Sequence, residues 1–447
     1  MLNINKLFEA AAAAGIKEFE ARILTESSLS VSMFDGEREN YTVSDHGKLK
    51  IRGLYGGKSG VFTSDRVDDD VIDTAIAALK SSAEYGNPYD PEFFISGGKY
   101  AYEKVDCYNA ELESTDASEY IGLAKALSVA ALGSDGRVEH AEISVEYNCS
   151  TMRLVNSNGL ALEQRGNYVT VGGSVKVSEG GEVQSGSRYE ILSSLGALDA
   201  DGFVKELIAD GVGQLGGGTV QTGRYPVVYS PDCVAVLVKT LSSGFSAFAA
   251  EQHVSLLEGK MGKALFSDMF NVEQTPIGNE VFCSAFDAEG VPCKNRMLIK
   301  DGVPTGYVYD LGTAKRAGAT STGNGRLIGG NIRPAVDFVT VHCGALDRDG
   351  MFKKINSGIY ITSLGGTSTG IDAQSGNYSL QASGYMIDNG KISAPISLMT
   401  VAGNILTDFA DIVAVGNDSK LTYYGVKTPS IAIGGLSVSG VNADNRI

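Results

Sequence analysis

The chain has no Trp, only 10 Pro among 447 residues, six Cys and four His. Each scarcity excludes something. The six Cys contain no C-x-x-C, and the nearest two, Cys283 and Cys293, stand ten apart. That pattern is neither a disulfide framework nor a paired-thiol zinc or redox motif, so reduced and mostly buried thiols are expected. His46, His140, His253 and His342 are separated by 94, 113 and 89 residues. A zinc helix of the H-E-x-x-H kind needs two His one turn apart on one face, and no pair here can supply that. No run reaches about 18 apolar residues, so no transmembrane helix is predicted. The opening MLNINKLFEAAAAAGIKEFE has a short Ala run followed at once by Lys17, Glu18 and Glu20. It reads as an ordinary first helix and not as a signal peptide, which makes the cytoplasm the expected location. Basic patches are also missing: 37 Lys and Arg face 53 Asp and Glu, a net charge of −16. Phosphate backbones and anionic lipid surfaces repel such a chain, so neither nucleic acid nor membrane is an expected partner.

What is abundant is Gly, 56 residues, in a chain 43% hydrophobic and 20% charged. With no collagen-like period, that excess belongs to tight turns of a folded protein of two or three domains. Residues 3–14 read as a helix. Period-2 segments follow at Phe19–Ile23, Leu29–Met33, Tyr41–Val43 and Leu49–Ile51, with turns expected at Asp35-Gly36 and His46-Gly47. Val67, Val71, Ile72, Ala75, Ile76, Leu79 and Ala83 carry helical spacing from about Ser64 or Asp65. A looser segment at 86–113 precedes a helix at about 116–132, strands around 143–177, and a helix near 199–215 that Gly216-Gly217-Gly218 ends. A strand at 226–229 and a helix at about 232–246 open the second half. Residues 247–275 show no assignable pattern. From Glu280 onward come short strands and Gly turns, among them Asp301-Gly302, Asp349-Gly350 and Asn389-Gly390. The expected fold is α+β: an N-terminal mixed helix/strand domain over 1–220, with possible sub-parts at about 1–113 and 114–220, then a β-rich, sandwich or barrel-like C-terminal domain over 221–447.

Three motifs invite a catalytic reading and fail. Asp68, Asp69 and Asp70 are consecutive, and neighbouring helical residues point about 100° apart, so they suit a helix N-terminus better than one ion. Gly53-Leu54-Tyr55-Gly56-Gly57-Lys58-Ser59 ends like a P-loop, but Arg52 stands where the first Gly is needed and strands flank it, so a hairpin turn is expected. Gly366-Thr367-Ser368-Thr369-Gly370 matches G-x-S-x-G, yet no His follows His342, and a turn between strands is expected. No dinucleotide fingerprint or EF-hand loop is present.

An ordered set of short segments is more specific. It runs Thr322-Gly323-Asn324-Gly325-Arg326, Gly358-Ile359-Tyr360-Ile361, Gly365-Gly366, Asp372 to Gly376 with Tyr378, Gly384 to Lys391, and Val415-Gly416-Asn417-Asp418. This succession resembles the TldD/PmbA family, whose members are also described as modulators of DNA gyrase. The resemblance implies a cytoplasmic zinc metallopeptidase built from two related subunits that cleaves unfolded or extended peptides, such as leader peptides. The TldD-type subunit carries H-E-x-x-x-H on a helix and a Cys ligand near its C-terminus, and the TldE/PmbA-type subunit lacks them. In this chain the best register puts Ala247, Phe248 and Gln252 where His, Glu and His would stand, and Tyr424 to Pro429 contains no Cys. The resemblance therefore implies the TldE/PmbA type, with no metal or cofactor in this chain and zinc in a TldD-like catalytic partner.

From this follow the expectations. The chain has no catalytic residues of its own and is inactive alone. Exposed strand edges pair with an extended peptide through main-chain hydrogen bonds. Thr322, Gly323, Asn324, Gly325, Arg326, Gly365 and Gly366 are candidates for binding peptide or partner, Arg326 and Asn324 because their donors suit carboxylates and backbone amides. The rival for the 322–326 loop is that it packs the domain or a subunit interface. A homodimer is expected when the partner is absent. The alternatives are a stand-alone hydrolase around Glu251, His253 and Glu258, and an interaction protein that modulates DNA gyrase.

Overall fold

The computed structural model describes residues 2–86, 88 and 93–440, so residues 441–447 of the expected second domain lie outside the described residues. The first part is one antiparallel sheet of long strands: β1 (Phe19–Phe34), β2 (Glu37–Tyr55), β3 (Lys58–Ser64), β4 (Val138–Asn156), β5 (Ala161–Glu179) and β6 (Glu182–Leu192), in the order β3-β2-β1-β4-β5-β6. Strands from both expected sub-parts share this sheet, because β1 pairs with β4 from Glu20 to Phe34. Among the described residues five α-helices accompany it: α1 (Ile4–Ala13), α2 (Ile72–Glu84), α3 (Ala110–Ser114), α4 (Ala117–Ser134) and α5 (Ala200–Gly213). They bury one face of the sheet in two clusters. Phe19, Ala21, Ile23, Leu49 and Ile51 pack under α1 and α2, and Val31, Met33, Ile143, Val145, Val169 and Val171 pack under α4 and α5. Alternation in the strands puts these residues on one side and leaves Glu20, Arg22, Lys50 and Arg52 on the other.

Several sequence expectations change here. His46-Gly47 is not a turn: β2 runs through it, paired with Glu26 and Thr25 of β1. Val67 packs over Gly47, where a methyl group would lie 2.7 Å from Val67 Cγ2, so the Gly serves packing and not a bend. Tyr41 and Val43 are 40% and 58% exposed, because β3 covers β2 only from Leu49 to Tyr55. The helix expected from Ser64 starts at Ile72 after a single 3₁₀ turn. Asp68 caps that turn through the Asp70 N–H, and Asp69 binds Lys6 at 2.7 Å, which gives the acidic run its structural role. Tyr55-Gly56-Gly57-Lys58 closes the β2–β3 hairpin with both Gly at positive φ, as a two-residue turn requires.

The second part opens with β7 (Gly223–Tyr229), α6 (Pro231–Ser243) and the short α7 (Ala247–Glu251), which begins the stretch left unassigned from sequence. It continues with β8 (Val272–Gln274), β9 (Arg296–Lys300), β10 (Val303–Pro304), α8 (Leu311–Ala317), β11 (Gly325–Ile328), β12 (Asn331–Pro334), β13 (Val339–Val341) and α9 (Arg348–Ile355). Then come β14 (Gly358–Gly365), β15 (Asn377–Asp388), β16 (Lys391–Asn404), α10 (Ile405–Ala410), β17 (Ile412–Val415), β18 (Lys420–Leu421), β19 (Val426–Thr428) and β20 (Ile431–Gly440). Strands β7, β14, β15, β16 and β20 close into a five-stranded barrel, since β16 pairs with β20 as well as β15. Within β7, Val227 and Tyr229 join the core that holds α6, while Val228 joins the cluster of Met351 and Phe352 on α9. A smaller sheet, β10-β9-β8-β13-β19-β18, flanks the barrel. Asp349-Gly350 is not a strand turn: it lies in the first turn of α9, where the Asp347 carboxylate accepts from the Gly350 N–H at 2.7 Å. Among the described residues no helix is long and apolar enough to cross a membrane.

Candidate functional site

The positions aligned with the lost zinc helix fall on α7. Ala247 is buried, and the Phe248 ring lies under the Arg333 guanidinium at 4.1 Å. Gln252 is the exposed C-cap residue. The residues around them also serve other bonds: the Glu251 carboxylate pairs with Arg316 at 2.8 Å, and His253 Nδ1 meets Glu258 at 2.6 Å on the surface. Zinc takes thiolate, imidazole or carboxylate donors. A methyl group, a phenyl ring and a carboxamide do not fit it. Among the described residues no three His, Cys, Asp or Glu side chains are grouped to hold a metal. Of the three residues of the hydrolase alternative, His253 and Glu258 meet, while Glu251 is turned to Arg316.

The Thr322–Arg326 loop has a definite setting. Asn324, 1% exposed, receives a hydrogen bond from the Thr322 hydroxyl at 2.7 Å and donates to Gln274 at 2.8 Å and to the Ala335 carbonyl at 2.9 Å. Arg326 pairs with Asp337 and donates to the Gly325 carbonyl at 3.1 Å. Gly323 has φ +71°, and a methyl group there would lie 2.2 Å from the Pro292 carbonyl, so the loop can seat on this segment only with Gly. The Gly325 N–H donates to Asp287 at 2.8 Å. The donors of Asn324 and Arg326 are thus used within the chain. Gly365 and Gly366 sit elsewhere, at the end of β14 on the barrel, with Gly366 exposed at φ +72°.

The loop borders a charged seam that the sequence does not announce. The far face of the first sheet, bearing Glu20, Arg22 and Arg52, is covered by the second part, where Leu154 and Leu160 meet Phe286 and Val291. Glu20 pairs with Arg52 at 2.8 Å and accepts a hydrogen bond from its Nη2 at 3.1 Å. Facing them are Asp287 and Glu289, 2% and 3% exposed. Asp287 accepts from the N–H groups of Glu289, Val291 and Gly325, and Glu289 accepts from the Leu311 N–H at 2.7 Å. Burial pushes the Glu289 carboxyl up to about 8, with Asp287 adding to it, and burial also raises Asp287. Lys50, half-buried beside Arg22 and Arg52, is lowered to about 8, first by burial and then by those two charges. Such perturbed groups meet at one seam between two layers, the kind of setting in which functional groups are found.

A long-stranded α+β layer meets, across a charged seam, a second part built around a five-stranded barrel, which defines a two-part α+β protein. Models of the PmbA/TldA metallopeptidase match the chain in three stretches: domain 1 at 19–83, the central domain at 110–215 and the C-terminal domain at 222–440. The chain belongs to the PmbA/TldD family. It is 25% identical to the metalloprotease PmbA of Escherichia coli O157:H7 over 425 residues, covering 94% of this chain and 92% of the relative. A crystal structure from Thermotoga maritima, described as a candidate modulator of a DNA gyrase, superposes with a TM-score of 0.89 at 25% identity and covers 97% of this chain and 99% of that one. TldE from Thermococcus kodakarensis shares the fold with a TM-score of 0.87 at 20% identity, covering 98% and 100%.

Proposed function

We propose that this chain is a non-catalytic, TldE/PmbA-like subunit of a cytoplasmic TldD-type zinc metallopeptidase, and that it holds extended peptide while a zinc-bearing partner cuts it. One observation carries the reading: the positions of the zinc helix hold Ala247, Phe248 and Gln252, and the stretch 424–429 holds no thiol. Neither these side chains nor any grouping of three His, Cys, Asp or Glu among the described residues offers a seat for the Lewis acid that would drive water onto an amide. The family's metallopeptidase-like names support the wider setting. The long β2 edge supports the peptide-holding role: beyond β3 its residues 37–48 offer unpaired N–H and C=O groups to an incoming strand.

The test uses purified full-length chain, a TldD-type chain and their mixture on an unstructured peptide. The chain alone should leave the peptide intact. The mixture should co-elute as a complex and exceed either chain alone by about 10²-fold or more, the scale of losing one catalytic device. Hydrolysis by the chain alone, abolished in His253→Ala, would instead establish the stand-alone hydrolase. The interaction-protein reading would need recovery of gyrase, and no TldD-like chain, from cytosol.

A further inference from the structure

Arg22 and Lys50 stand directly opposite each other on β1 and β2. Like charges in such a pair repel. The nearby Glu20 offsets this only in part, because it lies 2.8 and 3.1 Å from Arg52, while Arg22 approaches no closer than 3.9 Å. Arg22 is 7% exposed, and its Nη2 is buried without a hydrogen-bond partner among the described residues. An unused guanidinium donor in that setting is costly. Asp287 and Glu289 face it from the second part, but three backbone N–H groups occupy Asp287 and the Leu311 N–H occupies Glu289 Oε2. Lys50 donates to the Gly330 carbonyl, a neutral acceptor at the tip of the β11–β12 ribbon. Arg22 Nη2 is therefore left without a hydrogen bond among the described residues and Lys50 rests on a neutral acceptor, under a two-stranded ribbon that joins no other sheet.

We propose that Arg22 and Lys50 form a carboxylate site that takes the C-terminal end of an extended peptide beneath the β11–β12 ribbon. The inference rests on the peptide-holding reading above. The peptide carboxylate replaces the Gly330 carbonyl on Lys50 and supplies the missing acceptor to Arg22, whose planar fork suits a carboxylate. The free edges of the ribbon, with Leu327 and Ile328 41% and 51% exposed, run beside the site and fit an extended chain leading into it. Binding of an anion requires charged Lys50, so affinity falls as pH rises through about 8. Ionisation of Glu289 near the same pH acts in the same direction. Of the other charges facing Lys50, Arg52 and Lys48 favour the anion and Glu20 opposes it.

The probe is a fluorescent unstructured peptide made with a free and with an amidated C-terminus, read by anisotropy against the full chain at pH 7 and pH 9.5. The free acid should bind about tenfold tighter at pH 7, the scale of one charge-assisted contact. That preference should vanish at pH 9.5 and in Lys50→Gln, and persist at pH 9.5 in Lys50→Arg. A thermal melt checks that both variants fold. Equal binding of the two peptides by the folded wild-type chain overturns the proposal. Acetate alone, titrated while the Lys50 ammonium is followed by NMR, separates the two readings. An upward-moving Lys50 titration without peptide binding keeps the anion site and removes the peptide. No movement with acetate removes the anion site whatever the peptides do.

Discussion

Replacing Glu20 by Ala should cost the fold about 3–5 kcal/mol, read as unfolding free energy from urea denaturation followed by circular dichroism. The side chain is 3% exposed, pairs with Arg52 at 2.8 Å and accepts a hydrogen bond from it at 3.1 Å; Arg52 is itself 9% exposed. Removing the carboxylate leaves Arg22 and Arg52 buried at the seam, with Asp287 and Glu289 already committed to backbone donors. Loss of a buried carboxylate that serves two buried guanidinium groups is among the few single-site changes with so large an effect. The paired change Glu20→Leu with Arg52→Met should recover most of the loss, since hydrophobic pairs often replace buried ion pairs at little cost. A loss below about 1 kcal/mol for Glu20→Ala would mean that the seam admits water and behaves like an exposed pair.

The second large effect is a pH dependence centred on Glu289. Its carboxyl is raised from the ordinary 4.5 to about 8, first by burial and next by Asp287. The folded chain therefore keeps a proton that the unfolded chain releases between these values. Protons bound only in the folded state make stability fall as pH rises, so the loss runs from about pH 4.5 to about pH 8 and levels off above. Each pH unit in that window costs up to about 1.4 kcal/mol from this group alone. Glu289→Gln keeps an acceptor for the Leu311 N–H and cannot ionise, so it should flatten this slope and stabilise the chain at pH 8. Denaturation midpoints at pH 5, 6.5 and 8 for both proteins decide it, and parallel pH profiles would show that Glu289 is ionised in the fold.

Much of this architecture is legible from residue spacing. The helical period of Ile72, Ala75, Ile76 and Leu79, the Gly-Gly turn after Tyr55, and the Asp301-Gly302 and Asn389-Gly390 turns all appear as local signals and form as expected. The misreadings have two causes, tertiary context at one site and an overlooked local cap at the other. His46-Gly47 looks like a turn, yet β1 stays paired across it and Val67 fills the space above the Gly. Asp349-Gly350 looks like a hairpin, yet Asp347 caps a helix there.

The seam was hidden for a sharper reason. Glu20 and Arg22 alternate with Phe19, Ala21 and Ile23, the pattern of a strand with one wet face. Nothing local distinguishes a solvated charge from one covered by residues some 265 positions away, such as Phe286 and Asp287. The T-G-N-G-R segment was visible as a motif, while its setting against Asp287, Gln274 and Pro292 was not. Gly323 answers to the close Pro292 backbone, Gly325 to the crowding Glu289 and Asp287 side chains, and Asn324 to a buried hydrogen-bond network.

The central claim is that this chain carries no zinc site of its own and works beside a chain that does. The direct measurement is metal content of the purified full-length protein by mass spectrometry after dialysis, with and without a co-purified TldD-type chain. The account predicts near-zero zinc for the chain alone and about one zinc per complex, the usual stoichiometry of one catalytic site. About one zinc per chain in the protein alone would contradict it and would assign metal ligands to residues outside Ala247, Phe248 and Gln252.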